Sequence, residues 1–253
     1  MPDPTANPRL KQIVEGACRM TVTQPDQRLP VTSELLGRLP SKLHLTSLIQ
    51  YDQQMVWAAF TMAHRFLFRV SELTSPSPTA FNPSATLLLQ DVCWNDTVLQ
   101  LSIKQSKTDQ HRKETTLFMS ASEAPIIYNA CVTYAQQRQH RQPPDLPFFI
   151  NSSGRFLTRF DLKHALKITL PDGEDRARYS SHSFRIGGAT SAAADGLSTE
   201  VICERERWKS SSFKRYIRPQ RNVLNLIIFV GGKKKSSATF YMSATAVADL
   251  GVL

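Results

Sequence analysis

A histidine and an arginine three residues apart, His182 and Arg185, stand in the run YSSHSFRIGGAT. A tryptophan and a tyrosine, Trp208 and Tyr216, follow in RWKSSSFKRYIR. Side chains at i and i+3 share one face of a helix, so His182 and Arg185 can point at a single anion. The serine-rich turn between Trp208 and Tyr216 lets both return towards the same point. A second arginine, Arg69, lies in the apolar context FRVSELT, where an unpaired charge is costly and must meet a partner or an anion. The two arginines offer planar donor forks that match the non-bridging oxygens of a phosphodiester and the charge of its pentacoordinate transition state. Tyr216 is a candidate nucleophile. A tyrosine needs a base or cationic surroundings to attack at neutral pH, and His182 with the arginines can supply both. Lys107, in QSKTDQHRK, is a candidate general acid for the leaving 5′ oxygen, and the indole N–H of Trp208 can donate to a phosphate oxygen. Two arginines and a lysine provide the positive charge that a metal provides elsewhere, so no metal or other cofactor is expected.

Singly, each of these residues has an ordinary structural reading: a core tryptophan, a half-buried tyrosine, a helix-capping histidine, a solvated lysine, an ion pair of Arg69 with Glu72. Their joint occurrence gives the chemical reading its weight.

The elements that must position them follow from periodicity and punctuation. Residues 1–30 carry a short helical pattern (Leu10, Ile13, Val14, Ala17) and a proline-bounded polar linker, and read as the end of a preceding helical domain. Thr32 or Ser33 caps a short helix expected to stop near Pro40. A strongly buried helix runs from Tyr51 towards Val70, with Arg69 at its end. After a proline-rich loop the period changes to two: LLLQDVCW, TVLQLSIK and TTLFM predict a three-stranded antiparallel meander, with Lys107 between its second and third strands. A helix is expected over about 123–138, a small hairpin around Ser153-Gly154, and a helix capped by Thr158 and Asp161 that runs to about Leu170. Ser181 or His182 starts the next helix, which passes Ala194 and ends at Gly196, and Ser198 can cap one more. The fold class is mixed α+β, mainly helical with one small sheet. Residues 31–220 form the domain and 221–253 a tail without amphipathic pattern.

The 253 residues suffice for a sizeable core, and a net charge of +10 points to a polyanion such as nucleic acid. The four cysteines (Cys18, Cys93, Cys131, Cys203) lack metal or redox spacing and read as buried thiols in a reducing compartment. There is no apolar signal core, and runs such as Met55–Phe60 and Leu226–Val230 are too short to span a bilayer. An intracellular, soluble protein is expected.

The order Arg69, Lys107, His182, Arg185, Trp208, Tyr216 resembles the signature of tyrosine recombinases, the phage-integrase type. The wording FRVSELT, IKQSKTD, HSFRIGGAT and RWKSSSFKRYIR is similar to the eukaryotic branch found in DIRS-like and Crypton-like mobile elements. The resemblance covers about residues 30–220. It implies a catalytic domain that cuts one strand of double-stranded DNA at a time: Tyr216 forms a 3′-phosphotyrosyl bond and releases a 5′ hydroxyl, which attacks a partner strand. It also implies Glu72 as the acidic support of the arginine and histidine, a homotetramer on two duplexes, and a nuclear location. Family members usually have glycine where this chain has Phe66, Glu114 and Glu206, and a larger helical domain before the catalytic one. These departures carry an alternative, a DNA-binding remnant without catalysis. A third reading shares the chemistry and only relaxes supercoils, as type IB topoisomerases do.

Overall fold

The computed structural model describes residues 12, 26–104, 115–141, 143–198 and 216–218, all within the unit Met1–Pro219. Thr32 accepts a hydrogen bond from the Leu35 amide at 3.1 Å and opens α1, Ser33–Leu43, whose leucines 35, 36, 39 and 43 are buried. The helix does not stop at Pro40 but runs through it. The proline removes one ladder bond, and burial of Leu39 and Leu43 on either side offsets that loss.

α2, Gln50–Arg65, is buried without interruption from Ala58 to His64 and packs most extensively against two of the later helices. It ends earlier than the periodicity predicts. Phe66 caps it at φ −98°, and Leu67 turns to φ 52°, in the left-handed region that glycine usually occupies at a helix end. Arg69 is therefore not at the end of α2; it is the N-cap of a separate one-turn helix, α3, Val70–Leu73.

The meander forms as β1 (Val92–Trp94), β2 (Val98–Ile103) and β3 (Thr115–Ser120), antiparallel and in that order. Leu99, Leu101 and Ile103 alternate inward from β2. The first strand starts late because Leu89–Asp91 makes a 3₁₀ turn in which the Asp91 carboxylate accepts from the Leu88 amide. The alternation also puts Cys93 on the outer face. This corrects the reading of the cysteines as buried, which holds for Cys131, whose thiol burial pushes up to about 12. Cys18 and Cys203 lie outside the described residues.

α4, Pro125–Gln139, packs on α2. The hairpin closes at the Ile150–Phe156 bridge, with Gly154 at φ 77°. Thr158 and Asp161 form the expected capping box of α5, Arg159–Thr169. α6, His182–Ala194, ends before Gly196 at φ 78° as its sequence predicts, and Phe184 on α6 meets Phe60 on α2 at 5.0 Å. Among the described residues no helix is long and apolar enough to cross a membrane. The early helical pattern around Ile13, the helix expected after Ser198 and the tail 221–253 lie outside the described residues.

Candidate active site

Two serines, Ser180 and Ser183, seat the start of α6. The Ser180 amide donates to the Ser183 hydroxyl at 3.0 Å, the Ser183 amide to the Ser180 carbonyl at 2.9 Å, and the His182 amide to the Ser180 hydroxyl at 3.3 Å. The two glycines of RIGGAT then let backbone approach the helix. A Cβ on Gly187 would lie 1.7 Å from the Val31 carbonyl oxygen, and one on Gly188 would lie 2.2 Å from that of His64. Only glycine permits both contacts, and they fix α6 between the entering chain and α2. His182 is half-buried. Desolvation lowers it to about 4, assisted by Arg28, Arg185 and Arg159, while Asp26 pulls the other way, so its imidazole is neutral at pH 7.

Arg185 is buried, at 2% exposure, and its Nη1 donates to the Leu67 carbonyl at 2.5 Å. Two residues further on, the Arg69 amide donates to Glu72 Oε2 at 2.8 Å, and its guanidinium faces Glu72 Oε1 at 3.4 Å. The left-handed Leu67 thus sets both arginines against one turn: Arg185 grips the turn's carbonyl, and Arg69 leaves it under the hold of a buried carboxylate. Glu72 is found on Arg69.

Tyr216 faces α6. Its ring lies 5.0 Å from that of His182, centre to centre, and the Arg185 guanidinium carbon is 5.7 Å from the ring centre. The Thr190 hydroxyl anchors the backbone on both sides. It accepts from the Arg218 amide at 3.1 Å, and it lies 3.2 Å from the Tyr216 carbonyl and 2.7 Å from that of Ile186, which share its one proton. Arg218 then reaches Asp26 at 3.3 Å, and Asp26 also holds Arg28 through Nε at 2.8 Å and Nη2 at 2.9 Å. The entering chain is itself fixed: the Leu29 amide donates to the Arg178 carbonyl, the Val31 amide to the Ser183 carbonyl, and Arg178 Nε to the Gln27 carbonyl.

Of the residues singled out in the sequence, His182, Arg185 and Tyr216 are brought together, and Arg69 with Glu72 stands on the turn that Arg185 grips. Lys107 and Trp208 lie outside the described residues, as do Glu114 and Glu206. Asp26, Arg28, Leu67, Thr190 and Arg218 were given no role by the sequence reading. The only local signal among them was Arg218 in RYIR, two residues past the tyrosine. Phe66, where glycine is usual in the resembled family, has an ordinary φ, and the left-handed position falls one residue later. Chemically the cluster offers guanidiniums for an anion, a neutral imidazole able to accept a proton, and a phenol beside both.

No protein-family model matches the chain, and no curated protein matches its sequence. Solved structures do. A crystal structure of XerA recombinase aligns at TM-score 0.55 with 17% identity, over 86% of this chain and 70% of that one. XerH site-specific recombinase, bound to its difH substrate before cleavage, aligns at 0.52 with 14% identity, over 79% of this chain and 53% of that one. The Tn1549 transposon integrase, in complex with transposon right end DNA, aligns at 0.51 with 14% identity, over 78% of this chain and 62% of that one. The chain thus spans about half the length of the XerH recombinase it matches. What these proteins share with it is the fold, and the chain has the fold of a tyrosine recombinase catalytic domain.

Proposed function

We propose that this chain is a catalytic domain that cleaves and rejoins double-stranded DNA through a 3′-phosphotyrosyl intermediate on Tyr216. The observation that carries the reading is the meeting of Tyr216 with His182 and Arg185 on one helix face, 5.0 Å and 5.7 Å from its ring. In this scheme Tyr216 Oη attacks the scissile phosphorus while its proton passes to the neutral His182 imidazole. The P–O5′ bond breaks, and the leaving oxygen takes a proton from Lys107. Arg69 and Arg185 bind the non-bridging oxygens, joined by the Trp208 N–H, and lower the barrier most where charge develops. The 5′ hydroxyl of a second strand then attacks the phosphotyrosine, so the bond energy is conserved and no nucleotide cofactor enters. The roles of Lys107 and Trp208 rest on the resemblance of SKTD and RWKSSSFKRYIR to the family's motifs. The same resemblance supports a DIRS-like or Crypton-like origin, a homotetramer on two duplexes and nuclear action. Recombinases with this fold that are solved on DNA support duplex DNA as the substrate.

A pool of duplexes with randomised sequence around a nick tests the reading without a known target site. Cleavage near the nick frees a short strand that diffuses away and traps the enzyme. The full chain should form detergent-stable adducts with this pool, and Tyr216→Phe should form none. Retention of the pool in a gel shift without any adduct would leave a DNA-binding protein and reject the reaction.

A further inference from the structure

The segment entering the domain ties an additional guanidinium, through Asp26, to the chain that carries the tyrosine. Asp26 takes the Nε and Nη2 edge of Arg28 at 2.8 and 2.9 Å and accepts the Arg28 amide at 3.1 Å, which is the two-point geometry that suits a guanidinium and not an ammonium. Neither side-chain bond uses Nη1. The same carboxylate meets Arg218, whose amide is anchored on Thr190 two residues beyond Tyr216. One carboxylate thus ties two cations together, one before the domain and one just after the nucleophile. A charge on the Tyr216 phenol would act on Arg28, after the stronger pull of Asp26, and Arg28 in turn acts on His182. The groups facing His182 are accordingly Arg28 and Asp26 from the entering segment, Arg185 from its own helix, Arg159 from the start of α5, and Tyr216.

We propose that Arg28 is a positioning residue for the nucleophile, held by Asp26, which bridges it to Arg218 and so keeps the Tyr216 segment against His182 and Arg185. The inference rests on the reaction assigned to Tyr216 but concerns residues outside the six that resemble the family signature. The Asp26 bridge from Arg28 to Arg218 steadies the position of the segment that carries Tyr216. A loosened tether costs rate steeply, because attack tolerates little misplacement.

The test uses the full chain with the nicked random pool and, separately, the imidazole titration of His182 followed by NMR in the protein without DNA. Arg28→Ala should slow adduct formation at least about tenfold while pool retention in the gel shift stays within about twofold, as expected for loss of one cation among many. Removing a cation that opposes the imidazolium should also move the His182 titration upward from about 4. Arg28→Lys keeps the charge and loses the two-point bond, so the titration should stay in place and the adduct rate should recover in part. Asp26→Asn should slow adduct formation without an upward move of His182, since its own charge favours the imidazolium. An Arg28→Ala protein that forms adducts at the parental rate, or whose His182 titrates unchanged, overturns the proposal. Equal losses in Arg28→Ala and Arg28→Lys with an unmoved titration would mark a merely structural contact and overturn it as well. Should the unmutated chain form no adduct, the reaction assigned to Tyr216 fails, and the His182 titrations still decide where Arg28 acts.

Discussion

Arg185 donates to the main-chain carbonyl of Leu67 at 2.5 Å, and Leu67 can present that carbonyl because it adopts φ 52°. A non-glycine residue in the left-handed region costs about 1–2 kcal/mol, and at a site the surrounding structure must hold it there. Here the buried Leu67 side chain and the Arg185 bond hold it, and the arginine is seated where the Arg69 turn begins. The backbone irregularity and the candidate anion site are one feature.

That seat is built for a guanidinium. Arg185→Lys keeps the charge but cannot grip the Leu67 carbonyl and present a donor fork to a phosphate at the same time. Adduct formation on the nicked pool should fall about a hundredfold or more, the scale seen when one preorganised donor is lost. Circular dichroism should show the fold retained.

Gly187 and Gly37 should respond in opposite directions to alanine. The Gly187 Cβ would collide with the Val31 carbonyl, a backbone atom that can move only if the entering segment moves. Gly187→Ala should therefore lose about 2–3 kcal/mol in chemical denaturation, and adduct formation should fall with it, because Val31 follows Arg28 on that segment. Nothing lies within 4 Å of a Cβ on Gly37, inside α1. Gly37→Ala should stabilise the protein by about 0.5–1 kcal/mol through helix propensity.

Thr190 anchors the tyrosine segment with one hydroxyl. Thr190→Val is nearly isosteric but removes the acceptor of the Arg218 amide. Stability should fall by about 1–2 kcal/mol for the hydrogen bonds lost at a buried site. The discriminating readout is kinetic: adduct formation should slow while retention of the pool is unchanged.

Acid should destabilise the fold in a defined window. Burial lowers His64 to about 4 from its ordinary 6.5; the Val31 carbonyl opposes that shift and the Arg65 charge adds to it. The folded value lies below the unfolded one, so the unfolded chain takes the proton first. The stability contributed is complete above 6.5 and is lost progressively as pH falls towards 4. The full loss from this group is about 3 kcal/mol. Denaturation midpoints across that range should fall with acid and fall less in His64→Gln. Part of the slope should remain, because His182 is lowered to the same value.

Local signals carried much of the fold in advance. The serines before His182 and the glycine after Ala194 bounded α6, and Thr158 with Asp161 started α5 as their capping chemistry requires. The period of two marked the sheet except at Leu89–Asp91, where a side chain competes for the backbone. The break between α2 and Arg69 was illegible because no glycine announces it: leucine takes the left-handed turn, and the apolar period runs on through it. The Asp26 cluster was illegible for another reason. Asp26 and Arg218 stand 192 residues apart, and a polar stretch bounded by prolines reads as a linker whatever it later touches. Composition cannot announce a pairing that only the folded topology creates.

The central claim is that Tyr216 is the nucleophile and takes the 3′ phosphate. Its most direct test is to digest the trapped adduct with protease and nuclease and sequence the nucleotide-bearing peptide by mass spectrometry. The account predicts a nucleotide linked through its 3′ phosphate to Tyr216, with a free 5′ hydroxyl on the released strand. A nucleotide on any other residue, or one linked through its 5′ phosphate, would contradict it.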